Sequence, residues 1–188
     1  MGYPYSNGDV LSHSDMNAVG LHLVTPSSVT GGTLSGATVT VGSAVSSVTV
    51  SSVFSANFDN YLLIINGVTG SVSSGDLTMT LSGATTSYYE TFYYRTPGGA
   101  TEGFSDVNNG SFFRLCTLSN GAQNNARVDV LSPFLNVVTQ IHGQAYSRNT
   151  YNHFGGGRDS ASHTGFTISP SSGTITGGTI RVYGYSNG

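Results

Sequence analysis

The stretch Phe58–Asn66, FDNYLLIIN, decides the fold of this chain. Its centre, Tyr61–Ile65, is an uninterrupted apolar run. Asp59-Asn60 stands before the run, and Asn66-Gly67 follows it. A short apolar run between turn-forming residues is typical of a strand with both faces covered. We therefore expect a central, buried strand here.

Outward from this strand, apolar residues recur with a period of two. Leu77, Met79 and Leu81 alternate with threonines, and Ile180 and Val182 flank Arg181 near the C-terminus. Clusters of Gly, Asn, Ser and Pro separate about eight to ten such segments, and no helical pattern lies between them. This spacing predicts an all-β fold, an antiparallel sandwich or jelly roll, over residues 46–188. Ile180 and Val182 should face its core.

Residues 1–45 have a different pattern, which predicts an N-terminal arm that contains one short helix. The helix is expected within Asp9–Leu23, where apolar residues recur at three and four positions. Pro26–Ser47 is rich in Ser, Thr, Gly and Val, so it is either a linker or an extended strand laid on another surface. The residues expected to dock the arm on a partner are Tyr3, Tyr5, Leu11, Met16, Val19 and Leu23.

Composition excludes several classes of function. The net charge is −3, and the six basic residues are all arginine without a cluster, so we expect no nucleic-acid binding. Cys116 is the single cysteine, which rules out a disulfide framework and favours a small buried side chain. No run approaches the roughly 20 apolar residues that cross a bilayer. The first ten residues lack the pattern of a signal peptide, so we expect assembly in the cytoplasm and no membrane insertion.

The candidates for chemistry are few, and each has a simpler alternative. His153 and His163 flank a glycine run and could meet to bind a metal, but hydrogen-bonded turn histidines are the simpler reading. Glu90, Glu102 and Asp106 could form a glycosidase pair, but solvated loop carboxylates are more common. No Gly-x-Ser-x-Gly motif is present. We therefore expect no catalytic residue, no metal and no cofactor.

Six tyrosines are the most suggestive residues of the chain. On alternating strand faces, about half should be core or subunit interface. The exposed half offers rigid amphipathic contact area for another subunit, a host-surface glycan or a protein. The six are Tyr88, Tyr89, Tyr93, Tyr94, Tyr146 and Tyr151.

Three segments carry a resemblance to a known class of protein. The opening GDVLSHSDMNAVG, through Gly8, Leu11 and Asn17, resembles the start of many tailed-phage virion proteins. VFSANFDNYLLIING (53–67) and GFTISPSSGTITGGTIRVYGYSN (165–187) are similar to an early strand and the terminal hairpin of small jelly-roll domains on phage fibres and capsids. The resemblance implies a homotrimer on the virion surface that contacts other virion proteins through its arm. No catalytic residue carries over from it.

Two functions follow as expectations. The first is a non-enzymatic tail fibre or receptor-binding protein, whose arm docks on the tail or baseplate and whose β domain adheres to the host. The alternative is a capsid decoration, or cement, protein that stabilises the head by contact with the major capsid protein. A glycan-cleaving enzyme is disfavoured, because the chain has few acids and no parallel-repeat pattern.

Overall fold

The computed structural model describes residues 20–72, 74–99, 102–118, 120–148 and 150–187. Within these residues the chain forms fifteen strands and no helix. The strands are β1 (Leu21–Val24), β2 (Ser28–Thr30), β3 (Gly32–Ser35), β4 (Thr38–Val41), β5 (Val48–Ser51), β6 (Asn60–Gly70), β7 (Gly75–Leu81), β8 (Tyr88–Arg95), β9 (Glu102–Gly110), β10 (Phe113–Leu118), β11 (Asn124–Leu131), β12 (Thr139–Ser147), β13 (Thr150–Arg158), β14 (Phe166–Pro170) and β15 (Ile175–Tyr185).

Two antiparallel sheets enclose one core. The large sheet has ten strands in the order β3-β4-β15-β6-β11-β12-β13-β8-β9, with β1 also paired to β15. The small sheet has five strands in the order β10-β7-β14-β5-β2. Burial alternates along the strands, so that in β11 Val128 and Val130 are buried while Arg127 is exposed. The prediction of an all-β antiparallel fold is confirmed.

The predicted central strand is β6, which lies between β15 and β11. Tyr61, Leu63 and Ile65 face the core and are 0% exposed. On the other side, Tyr185 of β15 donates a hydrogen bond to the Asp129 carboxylate of β11. β15 and β11 flank β6, so this hydrogen bond passes over the outer side of β6. Leu62 is opposite Asp129 in the register and is also buried. The run is thus covered on both faces at Leu62, whereas its neighbour Ile64 stays only half-buried.

The last strand has the predicted phase. Ile180 and Val182 are each 1% exposed and lie in the core. Arg181 points to the opposite side, where its Nε donates to Thr38 Oγ1 of β4 over 3.0 Å. The alternation of apolar and polar residues was therefore sufficient to orient β15.

The helix prediction is wrong where the structure describes it. Leu21–Leu23 lies in β1, which pairs with β15 so that Leu21 is opposite Tyr185 and Leu23 is opposite Tyr183. The open edge of β15 offers backbone partners, and a short glycine-containing helix is too weak to compete with them. Positions 9–19 of the predicted helix lie outside the described residues.

For Pro26–Ser47, the structure shows the extended alternative. β2 pairs with β5, and β3 and β4 form a hairpin on the edge of β15. Val39 and Val41 of β4 are buried in the core. The predicted boundary between residues 45 and 46 therefore falls inside the sandwich. Of the predicted docking residues, Leu23 is in β1 and is exposed, and the other five lie outside the described residues.

Candidate functional site

The large sheet turns one surface to the core and one to solvent. We call the solvent side the outer face. Cross-strand pairing sets Tyr93 of β8 beside His153 of β13 and Phe104 of β9 on this face. The same pairing sets Tyr146 of β12 directly opposite Tyr151 of β13. The outer face is therefore rich in aromatic side chains that the core does not use.

The structure separates the six predicted tyrosines. Tyr89 and Tyr146 are exposed, and Tyr93 and Tyr151 are half-exposed, all four on the outer face. Tyr94 faces inward and is partly buried against the core.

Tyr88 is the correction among the six, because it is fully buried and cannot contact a receptor. Its hydroxyl accepts the N–H of Leu81 over 2.9 Å and donates to the carbonyl of Ala84 over 3.3 Å. Its position in β8 turns it inward, and these bonds satisfy its polar end inside the sandwich.

The outer face contains a groove, which we call the tyrosine groove. It is a shallow groove, open to solvent, with a volume of about 400 Å³. Its floor and walls come from four adjacent strands, β6, β11, β12 and β13. The lining residues are Ile64, Asn66, Asn125, Ala126, Arg127, Gln144, Ala145, Tyr146 and Tyr151.

Two side-chain amides of the tyrosine groove are held in one orientation. A bulge in β6 places Gly67 at φ +64°, a left-handed conformation that favours glycine. The Gly67 N–H donates to Asn125 Oδ1 over 2.9 Å. The Tyr151 hydroxyl donates to Gln144 Oε1 over 2.6 Å. Both amides thus use their oxygens within the protein and keep their NH₂ groups for a ligand.

The charge of the arginine in the tyrosine groove is largely balanced. Arg127 Nε lies 3.6 Å from Asp129 Oδ2, and His142 Nε2 lies 3.7 Å from the same oxygen. Asp129 also accepts the Tyr185 hydroxyl. Burial, and then this bond to Asp129, raise the pKa of Tyr185. The groove therefore carries little net charge, and none of its lining residues is a carboxylate.

The two histidines predicted as a possible metal pair do not meet. His153 is exposed on the outer face, where its ring packs edge-on against Tyr151 at 4.6 Å between centroids. His163 is buried, and its Nδ1 donates to the Ser82 carbonyl over 2.9 Å. Burial lowers the pKa of His163. No group of three or more His, Cys, Asp or Glu that could hold a metal occurs in the described part of the chain.

The three acids considered for glycosidase chemistry do not converge either. Glu102 and Asp106 are exposed on the outer face of β9, whereas Glu90 points into the sandwich and is 5% exposed. Glu90 Oε2 accepts the backbone N–H of Arg114 over 2.5 Å. A glycosidase needs two carboxylates on either side of one sugar, and this arrangement does not supply them.

Glu90 instead belongs to a partly buried cluster of charged groups between the sheets, in which Glu90 is buried and Arg114 and Asp76 are partly exposed. Arg114 of β10 lies over the Phe92 ring at 5.0 Å, and its Nε is 3.3 Å from Asp76 Oδ2 of β7. Burial raises the pKa of both Glu90 and Asp76, although the charge of Arg114 opposes the shift. This cluster joins β8 of the large sheet to β7 and β10 of the small sheet. Because it connects the two sheets, we assign it a structural role.

Cys116 is 0% exposed, and burial raises the pKa of its thiol to about 12. It is therefore the small buried side chain that the sequence predicted. Its thiol stays protonated and is not a nucleophile.

A second exposed feature lies at the other end of the strands from the tyrosine groove. Leu131 pairs with Asn60, the first residue of β6, so the 132–138 loop that follows lies at that end of β6. Leu21 pairs with Tyr185, which lies at the same end. We call this the apolar end. Its exposed aliphatic residues are Leu21, Leu23, Leu135, Val137 and Val138.

Reasoning from the sequence identified Tyr146 and Tyr151 but missed the polar residues around them. Asn66, Asn125, Arg127 and Gln144 come from three strands that are distant in sequence. The Asn66-Gly67 pair was a visible turn signal, but its effect on Asn125 depends on the register between β6 and β11.

Comparison with known proteins finds no matching family model and no curated protein with a significant sequence match. Over the described residues, no helix has the length and apolar character needed to cross a membrane.

Proposed function

We propose that this chain is a non-enzymatic protein on the exterior of a tailed-phage virion, of the tail-fibre or receptor-binding type with a jelly-roll topology. The observation that carries the proposal is the separation of two exposed features at opposite ends of the large sheet. On β11, Leu131 lies six residues after Asn125, or about 20 Å along the strand. One end is suited to attachment and the other to recognition.

The apolar end supports attachment. Leu21 and Leu23 lie on the outer side of β1, immediately after the segment that contains the other predicted docking residues. Exposed aliphatic groups gain free energy when another protein covers them. Residues 1–23 and the apolar end together form the proposed docking surface for a tail or baseplate protein.

The aromatic outer face supports adhesion to a host. Tyr93, Tyr146 and Tyr151 present rings with a polar tip, which give contact area at a low cost in side-chain entropy. Tyr89 lies in the row of Leu131, at the apolar end. Recognition by such a surface requires no catalytic group. Host adhesion is therefore the role that this face serves in the proposal.

The proposal includes a homotrimer. The large sheet ends at β9, whose outer edge pairs with no other strand among the described residues and whose Phe104 is 67% exposed. Unpaired edges invite further pairing, and a closed three-fold arrangement covers them. Sedimentation of the full chain at micromolar concentration tests this. A trimer is expected, and a stable monomer that does not aggregate would count against the proposal.

A capsid decoration protein is the second candidate, and the apolar end favours it. Five exposed aliphatic residues at one end also suit a clamp that sits across neighbouring capsid subunits. An electron cryomicroscopy map of the virion separates the two candidates. Density at the tail or its fibres supports adhesion, whereas density over the head surface supports decoration.

A further inference from the structure

The polar groups offered by the tyrosine groove are mainly hydrogen-bond donors. The NH₂ groups of Asn125 and Gln144 remain available because the amide oxygens are already bonded to Gly67 and Tyr151. Arg127 adds the N–H donors of its guanidinium, which it shares with Asp129 and Tyr185. A ligand that fits this site must therefore bring acceptor oxygens.

The same groove has an aromatic wall and an apolar floor. Tyr146 is exposed, and within the described part of the chain its hydroxyl has no hydrogen-bond partner. Ile64 is half-buried and lines the groove, with Arg127 opposite it on β11. A ligand with a flat apolar side and a small methyl group would cover both surfaces.

Other occupants fit these groups less well. An extended peptide needs a free sheet edge, but β11 and β12 are paired on both sides. A nucleic acid or a phosphate needs uncompensated positive charge, but Asp129 balances Arg127. The volume of about 400 Å³ is that of a small-molecule site.

We infer that the tyrosine groove binds an N-acetylated hexose of a glycan. The apolar side of the sugar ring stacks on Tyr146, the acetamido carbonyl accepts hydrogen bonds from Asn125 and Gln144, and the acetamido methyl contacts Ile64. This inference rests on the proposed adhesion function and names the ligand class of the same face.

The test is a titration of the full-length chain with N-acetylglucosamine and N-acetylgalactosamine, followed by backbone NMR. Glucose and glucosamine, which lack the acetyl group, are the comparison ligands. Shifts are expected at the N–H groups of Asn66–Gly67, Asn125 and Gln144 with at least one acetylated sugar, and with an affinity about tenfold above that for the unacetylated sugars. Equal binding of all four sugars, shifts elsewhere on the protein or no shifts at all would each overturn the inference.

Two matched pairs of variants locate the binding. Tyr146→Ala is expected to weaken binding at least about tenfold, whereas Tyr89→Ala, an exposed tyrosine on another part of the outer face, leaves it unchanged. Gln144→Glu keeps the acceptor for Tyr151 but loses the NH₂ donor, so it should remove the preference for the acetyl group. Gln140→Glu, on the same strand and face, is its control. Loss of binding in both members of a pair contradicts the assignment.

Adhesion to host cells separates this inference from the function on which it rests. If labelled protein binds host cells and free N-acetylated sugar competes, both stand. If it binds cells with no effect of the sugar or of Tyr146→Ala, adhesion stands and the ligand class is wrong. If it binds no cells of a host that supports the phage, the adhesion function fails. If the groove residues become buried only when the chain self-associates, the occupant is a second copy of this chain. That result also overturns the inference.

Discussion

Arg114 and Arg127 each lie close to one aspartate, but they sit in different surroundings. Arg114 is between the two sheets, where its side chain pairs with Asp76 and its backbone N–H donates to the buried Glu90. Arg127 is on the outer face, where Asp129 and solvent share its charge. Loss of the Arg114 side chain leaves carboxylates between the sheets without their positive neighbour. Loss of the Arg127 side chain leaves Asp129 where water can solvate it. Similar residue types therefore stabilise the fold in one region and remain available for a ligand in the other.

The interior depends on β1–β4, which the sequence pattern assigned to an N-terminal arm. Removal of these strands has the largest expected effect. Deletion of residues 1–45 removes β1–β4 and the buried Val39 and Val41, and it exposes the edges of β15 and β5. We expect this variant to lose its cooperative thermal transition or to aggregate. Deletion of residues 1–19 is the control, since it keeps every described strand. A variant lacking 1–45 that melts like the full chain would restore the boundary at residue 46.

The two arginines can be compared directly. Arg114→Ala should lower the free energy of unfolding by about 2–4 kcal/mol, because Asp76 loses its charged partner and the buried Glu90 loses a nearby positive charge. Arg127→Ala should lower it by about 0–1 kcal/mol, as expected for an exposed pair. Urea unfolding at neutral pH measures both. Equal losses would show that the two environments do not differ as described.

Two adjacent isoleucines sharpen the comparison without involving charge. Ile65 is 0% exposed in the core, while Ile64 is half-buried on the outer face. Ile65→Ala should cost about 2–5 kcal/mol in the free energy of unfolding. Ile64→Ala should cost under about 1 kcal/mol, and it should weaken sugar binding instead. The same urea denaturation series measures both losses. A larger loss for Ile64→Ala than for Ile65→Ala would mean that the side chains of β6 face the opposite way, with Ile64 in the core.

The smallest effect is expected from the pH dependence of Glu90. Its folded pKa is raised above 4.5 by burial, so its contribution to stability is complete below pH 4.5 and is lost as the pH rises through the folded pKa. Glu90→Gln removes that loss and can still accept the Arg114 N–H. We expect the urea midpoint of Glu90→Gln to rise relative to the wild type as the pH increases from 4.5 to 7.

Glu102→Gln is the control for this pH series, because Glu102 is an exposed side chain of β9. Its midpoint should follow that of the wild type at every pH. If Glu90→Gln does the same, burial of Glu90 carries no titration-linked cost.

Much of the fold could be predicted from local pattern. The period of two oriented Ile180 and Val182, and the run at Tyr61–Ile65 located the central strand. Burial of Cys116 followed from its apolar neighbours. These predictions succeeded because a strand with one face in a core must place apolar groups at every second position. The 1–45 region was harder, since a Ser- and Thr-rich edge strand shows little contrast between its faces.

By itself, the sequence determined that this chain is an antiparallel β protein with exposed tyrosines and little charge. Only the tertiary structure decided which tyrosines are exposed, that β1–β4 belong to the sandwich, and which amides surround Tyr146. The physical reason is that each of these depends on register between strands far apart in the chain. A shift of one residue sends a side chain to the opposite face. Such pairings depend on the hydrogen bonding and packing of the whole sheet, not on any short stretch of residues.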